Sequence, residues 1–280
     1  MTEAVKIVTF INMIFVVFLI LSGSIGGILG EIIYYCLAFA LPVAIGIYAS
    51  SKLKYKREQI AGVAEEPDRL LSLDAGTVRR LLPFIAPSVA IVFAISLVTS
   101  LLLSLVGVSA PAVENKDLLS MLVVHALTPA ILEEAVFRYL PLKLLAPYSK
   151  RWCVFYSALC FALIHCNFSQ IPYAFAAGVI FMLIDVAFGS VWPSVILHFV
   201  NNTASVVWMK YCDGTAASWI FVSVLLGFVL ISVPFIFAKR RENLALLRGA
   251  LDKGEKAEYT YAPLLLAAIC GYIAVANLFV

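Results

Sequence analysis

Long, solidly apolar segments separated by short polar stretches run the length of the chain. They fall at about residues 7–25, 28–49, 84–107, 118–145, 152–166, 172–189, 191–210, 217–238 and 261–279. About 20 consecutive apolar residues are what a helix needs to cross a bilayer. A membrane barrel would instead alternate apolar and polar residues over segments of about ten. The pattern predicts an all-α fold: a polytopic integral membrane protein with eight or nine transmembrane helices, in a single domain over 1–280. Ser22-Gly23-Ser24 resembles a signal-cleavage site, but a single lysine, Lys6, precedes the apolar run, so the first segment is predicted to be a retained span. Two polar stretches interrupt the pattern. One, about 50–80, holds Lys52, Lys54, Lys56, Arg57, Glu65-Glu66-Pro67-Asp68 and Arg79-Arg80. The other holds Lys239, Arg240, Arg241, Arg248, Lys253 and Lys256, with Leu244, Leu246 and Leu247 among them. That alternation predicts an interfacial amphipathic helix. There is no internal repeat and no low-complexity tract.

Composition agrees. The chain is 63% hydrophobic and 13% charged, against about 25% charged in soluble domains. The net charge of +3 is small and the cations sit in loops, so a lipid bilayer is the implied partner and nucleic acid is not. Cys36, Cys153, Cys160, Cys166, Cys212 and Cys270 form no CxxC pair and fall mostly in apolar runs, as small buried hydrophobes do. Loop charge also predicts orientation. With the 50–80 loop in the cytoplasm, the N-terminus is cytoplasmic too. Lys143, Lys150, Arg151 and Lys239 to Arg241 then fall on the same side, and Glu114, Asp117 and residues 167–170 and 211–215 fall opposite.

Against this background, Glu133-Glu134-Ala135-Val136-Phe137-Arg138 stands out. Charges inside a membrane are costly, so ionisable residues there are functional candidates. Glu134 and Arg138 are four apart and can pair along one helical face. Glu133 lies about 100° round the helix from Glu134, free to point at something else. His165 and His198 lie on two further spans. A rise of about 1.5 Å per residue puts Glu133 about 15 Å, His165 about 20 Å and His198 about 10 Å from the inner surface, one common layer. Asn202 follows His198 by four, on the same face and one turn deeper. A glutamate and two histidines at one depth permit two chemistries. A carboxylate and an imidazole can activate water while a second imidazole and an amide stabilise an oxyanion. Alternatively, Glu and two His can hold Zn²⁺, although the HExxH helix of common zinc proteases is absent.

Each feature has a purely structural alternative. Glu134–Arg138 could only stabilise its helix, His165 could close a helix end, and His198 and Asn202 could bridge helices. Glu31 is expected at an interface and Asn201 as a buried amide. His125 is expected to be structural or interfacial. Asp185, near the inner end of its span, is expected to reach the interface or, failing that, to orient a histidine. Gly178 is expected to permit close helix packing, and Pro141 and Pro147 to end the motif helix.

Three motifs together carry a resemblance. Glu133-Glu134-Ala135-Val136-Phe137-Arg138 fits EExxxR, Phe161-Ala162-Leu163-Ile164-His165 fits FxxxH, and His198-Phe199-Val200-Asn201-Asn202 fits HxxxN. In that order on three membrane helices, they resemble the CPBP family, the CAAX proteases and bacteriocin-processing enzymes, which includes the type II CAAX prenyl endopeptidases. The resemblance covers about residues 118–205. It implies a glutamate-dependent intramembrane endopeptidase with no required metal. Glu133 and His165 would activate the attacking water, and His198 and Asn202 would form the oxyanion site. Glu134 and Arg138 would orient the site or contact the substrate's C-terminal region. The substrate would be a prenylated CaaX C-terminus or another hydrophobic or lipidated peptide, cut near the cytoplasmic face. The membrane would be the plasma membrane of a prokaryote or the endoplasmic reticulum of a eukaryote. Nothing in the sequence points to a bound cofactor. The rival readings are a scaffold or immunity protein that keeps the fold, and a transporter with a Glu/His proton relay, which would show pseudo-symmetric halves.

Overall fold

The computed structural model describes residues 1–25, 30, 33–61, 70–105, 117–251 and 261–276. Glu31, Glu65-Glu66-Pro67-Asp68, Glu114, Lys253 and Lys256 lie outside the described residues. Among the described residues there is no strand. Helix α1 is Thr2–Ile25. Helix α2 opens with wide π turns, Ile33–Ala40, and continues as Leu41–Ala61. Then come α3 (Ala75–Leu105), α4 (Leu118–Leu144), α5 (Lys150–Leu163), α6 (Ile171–Phe188), α7 (Trp192–Val207, prolonged by a π turn at Trp208–Cys212), α8 (Ala217–Ala238), α9 (Arg240–Ala250) and α10 (Ala262–Ala276).

Local chemistry sets several of these ends. Asp74 accepts from Thr77 N at 2.8 Å at the start of α3, and Asp117 from Ser120 N at 2.9 Å at the start of α4. Such caps satisfy N–H groups that have no partner within the helix. The same bonds, from Thr77 and from Ser120, hold the Asp74 and Asp117 carboxyls below their ordinary range. Ser149 caps α5, accepting from Trp152 N at 3.2 Å. Gly189, at φ 68°, ends α6 in the left-handed conformation that glycine adopts without strain.

Six helices are long and apolar enough to cross a membrane: α1, α2, α3, α4, α6 and α8. Among the described residues that measure gives six spans and does not confirm the expected eight or nine. The three remaining candidates have 14, 16 and 15 residues in α5, α7 and α10. At about 1.5 Å per residue α5 reaches about 21 Å, short of a hydrocarbon core of about 30 Å, whereas α7 with its π turn runs on to Cys212 and α10 is described as far as Ala276. In α5 the apolar composition continues past the helix, which stops at Leu163 and leaves His165 in the following turn. Pro141 is also corrected. It does not end α4, which runs on to Leu144, and Pro147 lies beyond the end. A π turn, Ala135–Tyr139, precedes Pro141 and widens the helix there.

The core gathers around α4 to α7. Gly178 of α6 faces α5 so closely that a Cβ would stand 2.8 Å from Ala158 Cα, as its expected packing role requires. Phe137 of α4 packs edge-on against Phe15 of α1 and Phe161 of α5, with centroids 5.3 and 5.7 Å away. Thr9 and Tyr156 hydrogen-bond across α1 and α5. One end of the bundle is closed by the start of α3, the end of α6 and the start of α7. Arg80 lies 4.9 Å over the Phe188 ring, and Trp192 Nε1 donates to Leu71 O at 2.9 Å. Helix α9 begins at that end and exposes Leu244 and Leu247 along with Arg240, Arg241 and Arg248, as an interfacial helix would. Cys153, Cys160, Cys166, Cys212 and Cys270 are buried free thiols.

Candidate active site

The site grows from α4. Glu134 and Arg138 are fully buried, with Arg138 Nε 3.3 Å from Glu134 Oε2. The guanidinium lies 4.2 Å over the Phe161 ring and 5.8 Å from that of Phe181. Aromatic faces attract a cation and replace part of its lost hydration. Arginine is charged at any ordinary pH, so the Glu134 carboxylate is its counter-ion. A carboxylate only accepts, so the 2.7 Å contact between His198 Nδ1 and Glu134 Oε1 has the imidazole donating from Nδ1. His198 Nε2 then faces the other glutamate, 3.9 Å from Glu133 Oε2. His198 is therefore held between two carboxylates on successive positions of α4. Their surroundings differ: the Glu133 side chain is 14% exposed and that of Glu134 is 0%. The expected local pairing of Glu134 with Arg138 is present, and Glu133 points toward His198.

His165 occupies the turn after α5. Its Nδ1 lies 2.7 Å from Phe161 O. A carbonyl only accepts, so Nδ1 carries the proton, and in the neutral ring Nε2 is the basic nitrogen. Phe161 is the hub of the layer. Besides Arg138 it meets His165 and His198 edge-on, with centroids at 5.1 and 5.8 Å. The structure thus brings Glu133, Glu134, Arg138 and His198 into direct contact and joins His165 to them through Phe161. Glu133 approaches His198, at 3.9 Å.

Asn202, one turn deeper on α7, donates from Nδ2 to His125 O of α4 at 3.0 Å and accepts from Asn201 Nδ2 at 3.3 Å. The amide nitrogen bears a second hydrogen. The His125 side chain is exposed and takes no part in the layer. Asp185 corrects its expectation. It is fully buried rather than interfacial, and it contacts the backbone at the start of α7 rather than a histidine: Oδ1 accepts from Ser194 N at 2.9 Å. The first N–H groups of α7 lack partners within the helix, and a carboxylate from α6 supplies one. Asp185 thereby fixes the helix that carries His198. Phe161 entered the sequence reading only as the first residue of FxxxH; Phe181 and Ser194 were not singled out, although Ser194 precedes His198 by four on the same face of α7.

Among the described residues no three His, Cys, Asp or Glu side chains converge as a metal-binding set. Glu134 is committed to Arg138 and His198, and a buried guanidinium is a repulsive neighbour for a dication.

Residues 115–204 match the family model Rce1-like, type II CAAX prenyl endopeptidase Rce1-like. The match supports a CAAX-protease-family assignment for that segment. No curated protein and no solved structure matches the chain. The Rce1-like segment takes in α4, α5, α6 and most of α7, and so every residue of the layer described above. It agrees with the resemblance carried by the three motifs.

Proposed function

We propose that the chain is an intramembrane endopeptidase of the CAAX prenyl protease type. The observation that carries this reading is His198, held between Glu133 and Glu134 inside the membrane helices of an Rce1-like segment. Glu133 is the more exposed carboxylate of the layer and serves as general base toward the attacking water. His165 assists from Nε2. His198 and the second amide hydrogen of Asn202 form the oxyanion site. Glu134 and Arg138 hold His198 and orient the layer. No step uses a metal or a cofactor. The substrate is a prenylated CaaX C-terminus or another lipidated peptide, entering from the bilayer and cut near the cytoplasmic face, with the N-terminus on that side.

The test is cleavage of two quenched peptides by purified protein in detergent, one farnesylated with a CaaX end and one unmodified, with and without a chelator. Cleavage of the farnesylated peptide alone, indifferent to the chelator, is the expected result. Loss with chelator and recovery with Zn²⁺ would replace the mechanism. No cleavage of either peptide by folded protein would move the reading to a scaffold that keeps the fold.

A further inference from the structure

Helix α4 carries two prolines through the site. Pro129 and Pro141 have no N–H, so the carbonyls of His125 and Phe137, four residues earlier, lose their ordinary helical donors. Each proline stands two residues beyond a π turn: Val123–Leu127 before Pro129, and Ala135–Tyr139 before Pro141. In α2 the same spacing recurs, with Ile33–Ala40 before Pro42. A widened turn relieves the clash between a proline ring and the carbonyl four residues back. In α4 each such carbonyl is then met by a side chain from another helix. Asn202 Nδ2 donates to His125 O at 3.0 Å. Ser157 Oγ makes a short hydrogen bond to Phe137 O. Ser157 is fully buried on α5. It precedes Phe161 by four, on one face of α5, and belongs to none of the three motifs.

We propose that Ser157 is a positioning residue for the reaction. Its hydroxyl holds the Phe137 carbonyl and so fixes the π turn Ala135–Tyr139, which sets where Arg138, Glu134 and His198 meet. One extra residue in a helical turn rotates the remainder of the helix by about 100° relative to an unbroken α-helix. The glutamates lie before that turn, and the buried residues Leu140, Leu142 and Leu144 lie after it. With the turn in place, Leu140 can pack in the core while Glu134 faces His198. Without it, one of the two must leave its site.

The alternative is that Ser157 only satisfies a buried carbonyl. Pro141→Ala separates the two, because it returns to Phe137 O a donor within the helix and removes the cause of the wide turn. The test compares wild type, Ser157→Ala and Ser157→Ala/Pro141→Ala in the full chain in detergent micelles, by thermal melting, cleavage kinetics and NMR. The chain has 3 histidines, so the Nδ1 proton of His198 in ¹⁵N-histidine-labelled protein is assigned with His198→Gln. The positioning role predicts that the double variant melts at or above Ser157→Ala. Its kcat stays at least tenfold below wild type, and the downfield Nδ1 proton, which marks the bond to Glu134, is displaced or lost. Recovery of melting, kcat and the Nδ1 proton together overturns it. So does a Ser157→Ala protein within twofold of wild type in kcat with that proton unmoved. The kinetic readout rests on the peptidase reading, but the NMR readout does not. A wild type that cleaves nothing, with the proton lost in the double variant, sinks the peptidase and leaves the positioning role standing.

Discussion

Arg138→Met is the perturbation whose consequence is tied most directly to the geometry. Arg138 and Glu134 are 3.3 Å apart and both 0% exposed. Their attraction at an effective dielectric of about 20 is roughly 5 kcal/mol. Removing one partner of such a buried pair costs about 3–5 kcal/mol, because the remaining charge is stranded. The rings of Phe161 and Phe181, 4.2 and 5.8 Å from the guanidinium, lose a further contact of about 0.5–2 kcal/mol. Methionine returns part of that by packing between them. A loss of about 3–5 kcal/mol is therefore expected for the single variant. Adding Glu134→Gln should then raise stability again, by about 2 kcal/mol, since the stranded charge disappears and the amide oxygen still accepts from His198 Nδ1. The assay is reversible unfolding in mixed detergent and dodecyl sulfate micelles, monitored by helical circular dichroism. A double variant less stable than Arg138→Met, with the two costs simply adding, would refute the reasoning.

Two further expectations concern the support of the layer. Gly178→Val places a Cβ 2.8 Å from Ala158 Cα, where backbone must move. It should cost about 1–3 kcal/mol in the same unfolding assay, and it should lower kcat because α5 carries Phe161 and leads into His165. Asp185→Asn keeps an acceptor for Ser194 N and should melt near wild type. Asp185→Ala leaves that N–H buried without a partner and should lose about 1–3 kcal/mol; equal melting of the two variants would remove the capping role.

Much of the site was legible because membrane helices convert sequence position into depth. Three motifs on three segments place Glu133, His165 and His198 in one layer, and the Glu134–Arg138 spacing foretells their contact. What stayed hidden involves partners on other helices. The apolar run at 152–166 predicts a span, but α5 ends at Leu163 and leaves His165 in a turn, tied back to Phe161 O. Asp185 looks interfacial by its position in the run, yet a capping role for α7 draws it fully inside. Pro141 ordinarily signals a helix end. Here a widened turn and the Ser157 hydroxyl, 20 residues beyond Phe137 in sequence, let α4 continue. Hydropathy records how apolar a residue is and nothing about which carbonyl on a neighbouring helix lacks a donor.

The central claim is that Glu133 is the base. The direct measurement is kcat of Glu133→Gln on the cleaved peptide, beside a thermal melt of the same preparation. Glu133 is the part-exposed glutamate of the pair, and its contact with His198 Nε2, at 3.9 Å, is longer than a hydrogen bond. The amide should therefore leave melting unchanged while cleavage falls about 10²–10⁴-fold, the usual contribution of a general base. A folded Glu133→Gln protein that cleaves within a few-fold of wild type would contradict the account.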